Sequence, residues 1–157
     1  MKAKRLFRRR RSARNWLALV GVLVVAACGG GTTASTASPK PAIDFTMKAQ
    51  NGSHVIGTGQ IVKGTDSFTL TIKLTGLGPS SSHVSHVHVG SCAAQGGIAY
   101  ALQQVMADSS GAATTTSSLQ IAYSIPVSGW YVNVHHGPDF TEPGYAPSDS
   151  CGDLSAG

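Results

Sequence analysis

No acidic residue precedes Asp44 and no arginine follows Arg14, so this 157-residue chain is electrically two different pieces. Twelve Lys and Arg against seven Asp and Glu give a formal charge of +5, but eight of the basic residues, Lys2 to Arg14, crowd the extreme N-terminus. Beyond them only Lys40, Lys48, Lys63 and Lys73 face all seven acids, which leaves −3. That balance excludes a nucleic-acid role, which needs a basic footprint. Long apolar runs are missing too. The longest, Trp16 to Ala27, falls short of the roughly 20 residues of a transmembrane helix. There is no glycine-rich phosphate loop, no hydrolase order of Ser, His and Asp, no cysteine-rich zinc pattern and no evident repeat, so hydrolase and nucleotide-binding readings find no support.

The N-terminus has the layout of a secretory signal peptide over 1–27: a basic, acid-free flank followed by a short apolar run. Its end, Val25-Ala26-Ala27-Cys28, resembles the lipobox of bacterial lipoproteins, in which cleavage frees the cysteine to receive lipid. The resemblance implies export across the cytoplasmic membrane and anchoring through Cys28 at the cell surface or in the periplasm, stable if more than one acyl chain is attached. Residues 28–42 contain no large apolar side chain and read as the lipidated cysteine and a flexible tether. Residues 43–157 remain, enough for one domain with one core.

With Cys28 assigned to lipid, Cys92 and Cys151 are left as a pair in an oxidising compartment and are expected to be bonded. Their separation is 59 residues, for which the chain-entropy estimate is about 4 kcal/mol.

Periodicity in the domain is two. Ile43, Phe45 and Met47 alternate with polar residues, as do Phe68, Leu70, Ile72 and Leu74, the pattern of half-buried strands. Asn51-Gly52 is a strong hairpin signal, Gly64-Thr65-Asp66 predicts a second turn, and residues 76–82 predict a longer loop. Further strands are expected near 55–63, 84–90, 97–106, 113–122, 129–135 and 151–154. Seven or eight short strands make an all-β, antiparallel Greek-key sandwich or barrel with almost no helix.

Within this frame the histidines acquire directions. Val87 and Val89 take the core parity of their strand, so His86 and His88 point the other way, to one side. In the strand at 129–135, Trp130, Val132 and Val134 face the core, and Tyr131, Asn133 and His135 face out. Pairing these two strands would bring His135 to the His86/His88 edge. Three neutral imidazoles suit Cu, Zn or Ni, and a tetragonal arrangement favours Cu(II). Copper is the expected ion. His136, at the strand end, is either a fourth ligand or a hydrogen-bond partner of one. Asp139 either orients an imidazole or begins the turn at Gly137-Pro138, and His54 reads as a surface side chain.

These residues carry a family resemblance. His83-Val84-Ser85-His86-Val87-His88-Val89-Gly90 with Cys92 resembles the copper-binding strand of Cu/Zn superoxide dismutases, and Ser150-Cys151-Gly152-Asp153-Leu154 resembles the C-terminal segment bearing their second disulfide cysteine. Val132-Asn133-Val134-His135-His136-Gly137-Pro138-Asp139-Phe140 resembles the segment supplying their last copper ligand, while Trp130-Tyr131-Val132-Asn133-Val134-His135 is similar to the signature of CHRD domains. The resemblance implies copper ligands at His86, His88 and His135, a supporting role for His83, and a Cys92–Cys151 disulfide. The pattern also departs from the dismutases. No histidine lies between Cys92 and Gly129, so the zinc loop has no counterpart and zinc is not expected. The anion-guiding arginine is missing, and a net negative domain gives no general attraction for superoxide.

Three functions follow: a lipoprotein that holds or relays copper outside the cytoplasm, a zinc-less superoxide dismutase, and a metal-free CHRD-type interaction module. The partners implied are the membrane and copper. No protein partner is legible.

Overall fold

Phe68, Leu70, Ile72 and Leu74 are all buried, and the polar residues between them face outward, so the two-residue period of this segment is realised as one strand of an all-β domain. The computed structural model describes residues 40–157. The expected signal peptide, Cys28 as the expected site of lipidation and all but the last residues of the expected tether lie outside the described residues.

Ten strands follow in order: β1 (Ala42–Ala49), β2 (Ile56–Lys63), β3 (Phe68–Thr75), β4 (Ser82–His83), β5 (Ser85–Gly90), β6 (Gln95–Ala101), β7 (Val105–Met106), β8 (Ala113–Leu119), β9 (Trp130–His135) and β10 (Ser148–Asp153). A single 3-10 turn, Pro143–Tyr145, is the only helical element among the described residues. Eight strands form one antiparallel sheet in the order β6-β5-β9-β10-β1-β2-β3-β8, curled into a half-barrel, and β4 and β7 make a small pair apart. The curl is made at β1. Residues 42–47 of that strand pair with β2, and Lys48 and Ala49 pair with β10, so β1 passes from one half of the sheet to the other. Between the halves lies a single core to which Met47, Ile61, Leu70, Val87, Trp130 and Val132 contribute. The expected all-β antiparallel class is the observed one. The β5–β6 and β9–β10 strands sit on the far side of β1 from β2, β3 and β8, so the chain crosses over after β3, after β6 and after β8, in Greek-key fashion.

Local chemistry explains the hairpins. Asn51 (φ 50°) and Gly52 (φ 76°) both adopt the left-handed region that a tight hairpin turn demands, and Ser53 N–H closes the turn on Gln50 O at 2.8 Å. Several boundaries differ from the sequence expectation. The strand expected at 97–106 is broken into β6 and β7, that at 84–90 is realised as β5 with an additional short strand, β4, just ahead of it, β8 stops at Leu119, and β10 begins at Ser148 instead of 151. Backbone bonds from Leu102 to Ser85 O and from Gln103 to Ser117 Oγ take the place of the ladder between β6 and β7.

Cys92 and Cys151 are disulfide-bonded, with Cα atoms 5.8 Å apart and Cys151 fully buried. The bond fastens the β5–β6 turn to β10, and Asp153 Oδ1 accepts the Cys92 N–H at 2.7 Å beside it. We expect Cys151→Ser to lower the unfolding free energy by about 4 kcal/mol, read as a lower urea midpoint; coincident transitions for variant and parent would contradict a stabilising bond.

Candidate metal centre

β5 and β9 pair antiparallel with Ser85 opposite Val134, His86 opposite Asn133 and His88 opposite Tyr131. The register sends Val87, Val132 and Val134 into the core, each fully buried, and the alternate side chains to the other face. His86, His88 and His135 meet there. Their ring centroids are 5.7 Å (86–88), 5.4 Å (86–135) and 5.6 Å (88–135) apart, and one nitrogen from each lies within 4.8 Å of the others. Three nitrogens sharing one ion with bonds of about 2.0 Å lie roughly 3 to 3.5 Å from one another. The three rings would therefore close by roughly 1.5 Å to share an ion.

The expectation that these rings face away from the core holds, but they are not exposed. His86 is 9%, His88 7% and His135 6% accessible, and Tyr131 and Asn133 on the same face are buried as well. The cover comes from residues 136–147, which fold back over β5 and β9. Phe140 stacks on His86 with centroids 5.6 Å apart and meets His135 edge-on at 4.9 Å, while Tyr131 stacks on His88 at 5.0 Å. Val89 departs in the opposite sense. It shares the core parity yet is 37% accessible, because it precedes Gly90 (φ 107°), where the β5–β6 ladder is interrupted.

Hydrogen bonds fix which nitrogens are free. His88 Nδ1–H donates to Gly96 O at 3.0 Å, and His135 Nδ1–H donates to Ala146 O at 2.7 Å, so each ring presents an Nε2 lone pair to the cluster. His88 Nε2 and His86 Nδ1 are buried with no partner. Unpartnered buried nitrogens are rare and costly. Two of them facing a third imidazole form a donor set that fits a metal of imidazole preference.

The other histidines divide cleanly. His83 is buried, donates from Nδ1 to the backbone oxygen of His135 at 2.9 Å, and its Nε2 hydrogen-bonds with Ser81 Oγ at 2.7 Å. It holds the backbone of His135. His136 points out of the cluster. Its ring is mostly exposed and donates from Nδ1 to Asp149 Oδ1 at 3.0 Å. Asp139 orients no imidazole; its carboxylate caps a turn, accepting from the N–H and hydroxyl of Thr141. His54 is exposed, as expected. The sequence places Tyr131 on this face by its parity with His135, but it carries no signal for the parts played by Phe140, Gly96, Ala146 or Asp149.

A scan against protein-family models and a search of curated proteins returned no match.

Burial, and then the charge that would develop on His135 and His88, push the His86 pKa down to about 4, and burial lowers that of His135 too. Between about 4 and the ordinary 6.5 the unfolded chain carries the His86 proton that the folded chain refuses, so stability falls as pH is lowered through that window. In EDTA-treated protein we expect an NMR titration midpoint for His86 near 4, with urea resistance declining from pH 6.5 downward. A midpoint near the ordinary value would show a solvated ring.

Proposed function

We propose that this protein is a membrane-tethered, extracytoplasmic copper-binding lipoprotein, anchored through Cys28, whose β-sandwich is a zinc-less relative of the dismutase and CHRD domains. One observation carries the copper reading: three desolvated imidazoles converge on one face, and two of their nitrogens, His86 Nδ1 and His88 Nε2, are buried without a partner. Imidazole donors suit copper, and copper stands highest among the divalent ions in affinity for such a set. The resemblance of the H-V-H strand and the N-V-H-H segment to copper-binding strands supports the same choice, as does their antiparallel pairing. Export and lipid attachment rest on the basic flank, apolar run and lipobox-like end of residues 1–28.

In this reading β5 and β9 bring the three ligands together, the Gly96 and Ala146 carbonyls hold two rings in the right tautomer, and His83 braces the β9 backbone. Phe140 shields the face from water while remaining 48% accessible itself. A bound copper ion would supply one-electron redox chemistry there. A net charge of −3 outside the N-terminus, with no arginine, does not attract a small anion, so holding or passing on the ion is favoured over dismutation.

We expect the full chain to bind one Cu(II) with a nitrogen-rich EPR spectrum, and His88→Ala to weaken binding at least tenfold. A spectrum no different from that of a chain lacking His86, His88 and His135 would reject the reading. In a xanthine oxidase assay the copper-loaded protein should show no dismutation above that triple variant, and turnover well above it would move the assignment to a dismutase.

A further inference from the structure

Asn133 is 2% accessible, sits directly opposite His86 in the β5–β9 register and two residues before His135, and so shares their face. Its amide nitrogen lies 3.3 Å from His135 Nε2, and its oxygen accepts a hydrogen bond from the buried Ser148 hydroxyl. Because His135 Nδ1–H is committed to Ala146 O, Nε2 can only accept, and the Asn133 N–H is its donor. The amide thus occupies the side of Nε2 on which an ion would be held.

Resting on the copper reading, we propose that Asn133 is a fourth donor to that ion, through its amide oxygen, reached by a half-turn of the amide that Ser148 accommodates. An ion at Nε2 takes the lone pair that the N–H now uses and leaves that N–H pointing at a cation. The half-turn exchanges oxygen and nitrogen in nearly the same volume. Ser148 Oγ then accepts from the amide nitrogen instead of donating to the oxygen, and its hydroxyl hydrogen goes to Ser150 O, already 3.4 Å away. Every buried group on this path keeps a partner in both states, so the exchange avoids the penalty of an orphaned amide. The resulting set of three nitrogens and one hard oxygen is suited to a divalent ion and selects Cu(II) over Cu(I), which prefers softer donors.

The test uses the full chain, with Cu(II) for affinity and EPR and Zn(II) as a diamagnetic probe for NMR. Asn133→Leu should weaken Cu(II) binding about tenfold or more while keeping the three-nitrogen pattern, and Asn133→Asp, which retains an oxygen but has no N–H, should bind at least as tightly as the parent. Adding Zn(II) to the parent should move the Asn133 carboxamide carbon. Leu and Asp variants that both bind like the parent, or an Asp variant as weak as the Leu variant with the carbon unmoved, would overturn the proposal. Should the Leu variant fail to fold, the carbon shift in the parent decides alone: movement supports the amide oxygen and no movement refutes it. A parent that binds no Cu(II) refutes the copper reading itself; a parent with normal nitrogen-rich binding that Asn133→Leu leaves unchanged refutes this inference only.

Discussion

The register between β5 and β9 is the constraint on which everything else depends. With His86 opposite Asn133, Val87 and Val132 enter the core and three imidazoles, the Tyr131 ring and the Asn133 amide gather on the reverse face. A slip by a single residue would reverse this, pressing the imidazoles into the aliphatic interior and turning the valines outward. Burial of Val87, Val132 and Val134 with essentially no accessibility therefore pins the face that the histidines take. The hydrophobic core places the polar site.

Placement alone would leave rings free to turn. Their orientation comes from backbone oxygens that the chain delivers from two irregular segments, Gly96 near the β5–β6 turn and Ala146 at the end of the covering loop. Each accepts one Nδ1–H and so makes the opposite nitrogen an acceptor, without a partner in His88 and met by the Asn133 N–H in His135. His83 adds a third bond of the same sense, its ring Nδ1–H donating to the backbone oxygen of His135. Thus the arrangement is rigid where lone pairs must be aimed and lacks partners only where an ion would supply them.

Much of this was legible in the sequence because strands write their direction in alternation. The parity of Val87 against His86 and His88, and of Val132 and Val134 against Asn133 and His135, sufficed to put three histidines on the outward faces of their strands, and the β5–β9 pairing then brings those faces together. Counting cysteines sufficed for the disulfide. The depth of the site was not legible. Alternation says which face a residue takes but not what lies over that face, and the cover, Phe140 with its loop, belongs to a stretch of glycine, proline and polar residues with no period to read. For the same reason His136 and Asp139, beyond the end of β9, could not be given directions, and Asp149 went unnoticed as the partner of His136. The breaks at Val84 and at 102–104 carry no glycine or proline to mark them.

The bond between Cys92 and Cys151 joins the tip of one hairpin to the last strand, and four residues beyond Cys92 stands the carbonyl that fixes the His88 ring. Under reducing conditions that hairpin loses its covalent tie and is retained by the β5–β6 and β5–β9 ladders and by the Cys92 N–H bond to Asp153, with β6 at an edge of the sheet where one flank has no neighbouring strand. Thiol chemistry at the rim is in this way mechanically connected to the aim of a nitrogen inside, so a chain still carrying free thiols holds its imidazole with a looser hinge than one that has been oxidised.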